Sequence, residues 1–93
     1  MKIVIDDVEY ELETKARAWP LLSLIQKLTS PSNLEEALKM GEELERIVDK
    51  VLEICVKPFP DRPEHKPLLI IALMKIEERA VRDAYRLVEN FRE

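Results

Sequence analysis

The sequence predicts an α+β fold: an N-terminal β-hairpin packed on three helices, the last two long and antiparallel. Two short runs at the start alternate between apolar and polar residues, which is the period of a half-buried strand. Farther along, apolar residues recur at three- and four-residue steps, and prolines separate these helical segments. The 93 residues make a single domain, 1–93, with a modest core.

Residues 1–13 are predicted to form the hairpin, with Asp6 and Asp7 at its turn. The apolar face then consists of three cross-strand pairs, Ile5–Val8, Ile3–Tyr10 and Met1–Leu12. The polar face places Lys2 opposite Glu11 and Val4 opposite Glu9. A slip by one residue would scatter this pattern, so the register is well specified. A lone two-stranded hairpin is marginal in water, so its apolar face must pack on the helices or on another chain.

Three helices are predicted, at about 20–29, 33–56 and 67–91. Pro20 and Pro67 suit the first turn of the first and third helices. Ser32 and Glu35 have the spacing of a capping box, which starts the second helix, and Pro58 follows its end.

Gly41 is the only glycine, and it falls on the apolar stripe of the second predicted helix. In one interpretation, Gly41 only weakens the helix, by about 1 kcal/mol relative to alanine. In the other, its missing side chain leaves a notch where a second helix crosses closely. Its position on the apolar stripe favours the notch.

Composition restricts the class of protein. The net charge of −4 gives no overall attraction to nucleic acid or to anionic membranes. The longest apolar run, 68–74, is far short of the roughly 20 residues that span a membrane. A lone cysteine, Cys55, forms no intrachain disulfide and is expected to be a buried structural thiol. We expect a soluble cytoplasmic protein, and the abundance of charged over neutral polar residues favours a thermophilic source.

Motifs for catalysis or metal binding are not found in the sequence. His65 is the sole histidine and lies in a proline-rich segment, where a solvated loop side chain is expected. One glycine cannot build a phosphate-binding loop. Four glutamates precede lysine or arginine by four residues, which is typical of solvated ion pairs: Glu35–Lys39, Glu42–Arg46, Glu53–Lys57 and Glu78–Arg82. We therefore expect no enzymatic activity, no metal and no cofactor.

An excess of apolar surface predicts self-association. The second predicted helix carries a further apolar row beside its main stripe, and the third opens with seven consecutive apolar residues. A hairpin and one short helix are too little to cover both surfaces, and large exposed patches mark interfaces. The candidate interface residues are Met40, Ile47, Ile54, Leu69 and Ile70.

The third predicted helix also carries a basic stripe, formed by Lys75, Arg79, Arg82 and Arg86. Their steps of four, three and four residues place them on one side of the helix. The stripe suits phosphates or an acidic partner. The alternative, which the bordering acids favour, is pairing within the chain.

The order of elements resembles small tail-assembly chaperones of tailed phages and related proviruses. The resemblance lies in the opening hairpin, 3–12, and in a long middle helix that ends in an apolar run and a proline-containing break, 52–58. It covers most of the chain as a layout without a diagnostic motif, so no site residue is carried over. The resemblance implies a non-enzymatic chaperone or oligomer.

Taken together, the sequence predicts a non-enzymatic protein-interaction or assembly module that self-associates. A homodimer is the simplest closed arrangement, and a different protein is the other partner that the sequence allows. The alternative function is a nucleic-acid-associated accessory protein that uses the basic stripe, although the acidic net charge disfavours nucleic acid as a partner. No membrane partner is expected.

Overall fold

The computed structural model describes residues 1–91 and contains three strands and four helices. Within this range the description covers every side chain except those of Pro31, Val81, Ala84, Tyr85 and 87–91. The strands are β1 (Lys2–Ile5), β2 (Val8–Leu12) and β3 (Val56–Lys57). The helices are α1 (Trp19–Leu28), α2 (Leu34–Met40), α3 (Glu42–Cys55) and α4 (His65–Phe91). Short 3-10 turns precede α1 and α2, at Ala16–Ala18 and Pro31–Asn33. The predicted α+β class is confirmed.

The hairpin of β1 and β2 has the predicted register. Its antiparallel pairs are Lys2–Glu11, Ile3–Tyr10, Val4–Glu9 and Ile5–Val8. Asp6 and Asp7 have φ angles of 48° and 66°. Aspartate tolerates this left-handed region, and two such residues in succession make the tight turn whose twist suits a hairpin. The apolar face lies on the core, with Tyr10 and Leu12 buried.

A third strand, which the sequence did not predict, completes the sheet. β3 pairs antiparallel with β2, matching Leu12 with Val56 and Glu11 with Lys57. The sheet order is therefore β1–β2–β3, with the second hairpin strand in the centre. The backbone N–H of Glu13 donates to the carbonyl of Cys55 at 2.9 Å, which extends the contact to the end of α3.

The continuous second helix predicted at 33–56 is wrong, because Gly41 divides it into α2 and α3. Gly41 has φ −133° and ψ 114°, an extended conformation between two helical segments. Its N–H still donates to the carbonyl of Ala37 at 3.1 Å, and its carbonyl accepts from the N–H of Glu45 at 3.2 Å. The expected capping box is not formed either, since α2 begins without a side-chain cap. Residues 1–91 thus contain four α-helices instead of the three predicted.

The notch interpretation of Gly41 is also wrong. A Cβ atom built on Gly41 would meet the carbonyl oxygen of Ala37 at 3.6 Å and the Cβ of Leu44 at 3.8 Å. Both distances are ordinary van der Waals contacts within the same region of chain. In the described part of the chain, no other helix therefore excludes a side chain at this position, and the glycine marks a break in the helix.

The beginning of α4 is fixed to α3 by Lys66. The Nζ atom of Lys66 lies 2.8 Å from Asp49 Oδ1 and 3.6 Å from Glu45 Oε1. The same ammonium lies 5.8 Å from the centroid of the Phe59 ring, within cation–π range. Lys66 is mostly buried, so these charges interact at a lower effective dielectric than a surface pair.

One hydrophobic cluster joins the sheet to all four helices. Leu22 and Ile25 of α1 are fully buried in it, as is Leu52 of α3. Complete burial of such a side chain contributes about 1.5–3 kcal/mol, before the cost of ordering the chain is subtracted. The remaining large, fully buried apolar members are Tyr10, Leu12, Leu34, Val48, Val51, Leu69, Ile70 and Leu73.

Candidate functional site

An apolar groove lies between α1 and the region where α2 meets α3, and we call it the α1–α3 groove. Its volume is about 480 Å³. Three large apolar side chains in it face water, with exposed fractions of 40 % for Leu24, 57 % for Leu28 and 89 % for Met40. The complete lining is Leu24, Leu28, Ala37, Met40, Gly41, Glu43, Leu44 and Ile47.

The break at Gly41 is what shapes this groove. α2 ends at Met40, and the extended residue that follows turns the chain before α3 begins at Glu42. Met40 is thereby the last residue of α2, and its side chain faces water. Leu24 and Leu28 are one helical turn apart on α1, so they line the opposite side of the groove as a pair.

The candidate interface residues are separated by the fold. Met40 and Ile47 line the α1–α3 groove. Ile54 is half-buried and packs against the core. Leu69 and Ile70 are fully buried, so they belong to the core of the chain and are not available on its surface. The seven apolar residues at the start of α4 are largely absorbed by the sheet and the other helices, which is why the expectation of an interface there is wrong for these two.

The basic stripe lies partly around a second cavity, of about 510 Å³. Lys75, Arg79 and Arg82 all line it, whereas Arg86 is exposed outside the lining. Arg82 Nη2 donates to Glu78 Oε1 at 3.1 Å, as the i,i+4 spacing predicts. The remaining lining is Met1, Ala72, Ile76 and Glu78.

A buried polar triad was not expected from the sequence. His65 is 0 % exposed, so the prediction of a solvated loop histidine is wrong. The hydroxyl of Tyr10 lies 2.8 Å from His65 Nδ1, and His65 Nε2 lies 3.0 Å from Asp6 Oδ2. The rings of Tyr10 and His65 meet edge to face, at 86°. We call this arrangement the Asp6–His65–Tyr10 triad.

The hydrogen-bond roles in the triad follow from the carboxylate. A carboxylate can only accept, so Nε2–H of His65 donates to Asp6, and in the neutral imidazole Nδ1 is then the nitrogen that accepts from the Tyr10 hydroxyl. Burial raises the pKa of the Tyr10 hydroxyl, and the nearby carboxylate of Asp61 acts in the same direction. Tyr10 is therefore held with its hydroxyl protonated, and both ring nitrogens of His65 have a hydrogen-bond partner.

Chemically, the triad suits a structural role. Proton transfer to a substrate needs an accessible reacting atom within hydrogen-bond reach. Tyr10 is only 2 % exposed and His65 is fully buried. Their hydrogen bonds instead join the turn and second strand of the hairpin to the first residue of α4. A sequence signal for this contact was Tyr10 itself, because a tyrosine on a buried face needs a partner for its hydroxyl.

Two further groups are withdrawn from water, Cys55 almost completely and Glu77 in part. Cys55 is 3 % exposed, in agreement with the expected buried thiol, and burial raises its pKa, which keeps it protonated and unreactive. Burial also raises the pKa of the Glu77 carboxyl, whose Oε2 atom has no hydrogen-bond partner among the described side chains. Among the described residues, no group of three or more histidine, cysteine or acidic side chains is arranged to hold a metal ion.

Over residues 1–91, no helix combines the length and apolar character needed to cross a membrane. Compared with protein-family models, with curated proteins and with solved structures, the chain matches none of them.

Proposed function

We propose that this protein is a non-enzymatic interaction module that associates with a second copy of itself through the α1–α3 groove. The observation that supports this proposal is the exposure of Met40, Leu28 and Leu24 around one concave apolar surface. Single exposed apolar residues are normal on a protein surface, but a contiguous group of large ones favours an interface. Methionine is adaptable enough to fill an irregular partner surface.

Charge around the groove favours a second copy as its occupant. Glu43 lines the α3 side of the groove. Lys27 lies on the α1 side, one helical turn from Leu24 and next to Leu28. In the proposed dimer the two-fold axis runs along the groove, so that the α1 side of one copy, with Lys27, meets the α3 side of the other, with Glu43, and opposite charges approach each other. A homodimer formed in this way would bury the Met40 side chains of both copies in one interface.

The first experiment is light scattering across a wide range of concentration. We expect a mass near twice the 10.9 kDa of the chain for the wild type. Met40→Asp places a charge in the proposed interface and is expected to give the monomer mass. Leu68→Asp is the matched control, because Leu68 is 51 % exposed but lies outside the groove. A monomer mass for the wild type at every concentration contradicts the proposal.

A charge exchange tests the two-fold arrangement. Lys27→Glu and Glu43→Lys should each weaken the dimer, because each puts like charges opposite one another. The double variant restores opposite charges and should recover much of the lost affinity. If the double variant loses as much dimer affinity as the two single variants together, the copies do not meet in this orientation.

In this proposal the dimer is a cytoplasmic assembly module of the kind that the tail-assembly chaperone layout implies. The alternative, a nucleic-acid-associated protein, is favoured only by the three cations that line the second cavity. It is opposed by the net charge of −4. A gel-shift experiment with mixed DNA and RNA at low and high salt distinguishes the two, since contacts with phosphates weaken steeply as salt is added.

A further inference from the structure

The cavity on α4 combines a cationic end with an apolar end. Ala72, Ile76 and Arg79 follow one line along the helix, since they are spaced by four and three residues. Lys75 and Arg82 flank that line on one side. The apolar surface of Ala72 and Ile76 therefore lies toward the N-terminal end of the cavity, and the two arginines lie toward its C-terminal end.

The charges in this cavity are unbalanced. Three cations face a single carboxylate, that of Glu78. Glu78 pairs with Arg82, and both side chains are more than half exposed, so this pair is weak and exchangeable. In the described part of the chain, no carboxylate lies within ion-pair distance of Lys75 or Arg79. Among the described residues, Lys75 and Arg79 thus have no acidic partner, whereas Arg82 has the pairing within the chain that the sequence favoured.

We propose that this cavity binds a single-chain anionic amphiphile, with its carboxylate or phosphate head on Lys75 and Arg79 and its tail along Ile76 and Ala72. The planar guanidinium of arginine matches the oxygens of either head group, and the lysine ammonium adds a point charge. The apolar end gives the tail a surface to leave water. This site is independent of the α1–α3 groove, which has no lining residue in common with it.

Other ligand classes fit this cavity less well. A nucleotide base or single-stranded nucleic acid needs a stacking platform, and the lining contains no aromatic residue. A bare anion would leave the apolar end in contact with water. The net charge of −4 would make the whole protein repel an anionic membrane surface. A single amphiphile molecule is small enough to interact mainly with the three cations that line the cavity.

The test is titration calorimetry with dodecyl phosphate below its micelle concentration. We expect one molecule bound per chain, tighter binding than for octyl phosphate, and no measurable heat with inorganic phosphate or with neutral dodecyl maltoside. The double variant Lys75→Gln/Arg79→Gln should bind at least about tenfold more weakly. Arg86→Gln is the control, because Arg86 is exposed but outside the lining, and its affinity should stay within about twofold of the wild type.

Four outcomes would overturn the proposal. If dodecyl maltoside bound as tightly as dodecyl phosphate, the head group would not be recognised. If inorganic phosphate bound as tightly as dodecyl phosphate, the tail would not contribute to binding. Unchanged affinity in the double variant would place the ligand elsewhere. Binding to phosphatidylserine vesicles without binding to the monomeric amphiphile would indicate a membrane surface as the ligand. Circular dichroism confirms that each variant is folded, which the exposure of Lys75 and Arg79 leads us to expect.

Discussion

The hydroxyl of Tyr10 lies 2.8 Å from Nδ1 of His65, across 55 positions of the chain. This hydrogen bond joins the central strand of the sheet to the first residue of α4. Together with the bond from His65 to Asp6, it satisfies both nitrogens of a fully buried imidazole. A buried polar group of this kind stabilises the fold only while each partner is present.

Tyr10→Phe is expected to lower the free energy of unfolding by about 1–3 kcal/mol. The phenyl ring keeps the packing of Tyr10, but His65 Nδ1 is left buried without a donor. Urea denaturation at pH 7 measures the change. A loss below about 0.5 kcal/mol would show that water or another group replaces the hydroxyl.

A matched pair in the turn tests the other half of the triad. Asp6→Ala and Asp7→Ala both place alanine at a positive φ and share that strain. Only Asp6 binds His65, so its replacement should cost about 1 kcal/mol more than that of Asp7. Equal losses would mean that the carboxylate contributes nothing to stability.

Glu77→Gln is expected to stabilise the protein by about 1 kcal/mol at pH 7, because it removes a charge from a half-buried, partly desolvated position. Burial raises the pKa of Glu77 in the folded state, so the ionised side chain destabilises the fold above that pKa. As the pH falls through the raised pKa toward the ordinary value of a glutamate, the wild-type side chain protonates and the gain should disappear.

The control for this experiment is Glu78→Gln, measured by thermal unfolding at the same pH values. Glu78 is exposed and pairs with Arg82, so its replacement should give no gain at pH 7. If both variants behave alike, a general reduction of negative charge explains the effect, and burial of Glu77 does not.

Ile3→Lys should destabilise the protein by about 2 kcal/mol or more, whereas Val4→Lys should change its stability by less than about 0.5 kcal/mol. Ile3 packs against the core opposite Tyr10, and Val4 is 66 % exposed on the other face. Melting temperatures of the two variants provide the comparison. Equal values would contradict the assignment of the faces.

Gly41→Ala is expected to be neutral or to stabilise by up to about 1 kcal/mol. The φ of −133° suits alanine, and a Cβ atom meets only ordinary contacts. Alanine also restricts the unfolded chain more than glycine does. A loss of more than 1 kcal/mol on chemical denaturation would revive the close helix crossing that the sequence suggested.

The hairpin was predictable because its determinants are local. Alternation assigned Tyr10 to the apolar face, and two successive aspartates suit a turn with positive φ. β3 was not predictable in the same way, because its two residues are too few to show a period and follow a helical pattern directly. Its structure depends on pairing with β2, which is distant in the sequence.

The candidate site was predictable only in part, for a related reason. Helical spacing placed Met40 and Ile47 on an apolar surface, and the groove contains both. The run of seven consecutive apolar residues gave Leu69 and Ile70 equal weight, although tertiary packing buries them. Burial of His65 requires Asp6 and Tyr10 from the other end of the chain, so no local pattern surrounding His65 indicated it.

The position of β2 between β1 and β3 has a consequence for the order of folding. The pairing of β1 with β2 closes a loop of two residues and can form early, whereas β3 can reach β2 only after the chain of α1, α2 and α3 has folded back. The third strand is therefore expected to join the sheet late. Until then one edge of β2 exposes unpaired backbone groups, and a nascent chain is most open to pairing with a neighbour at that edge.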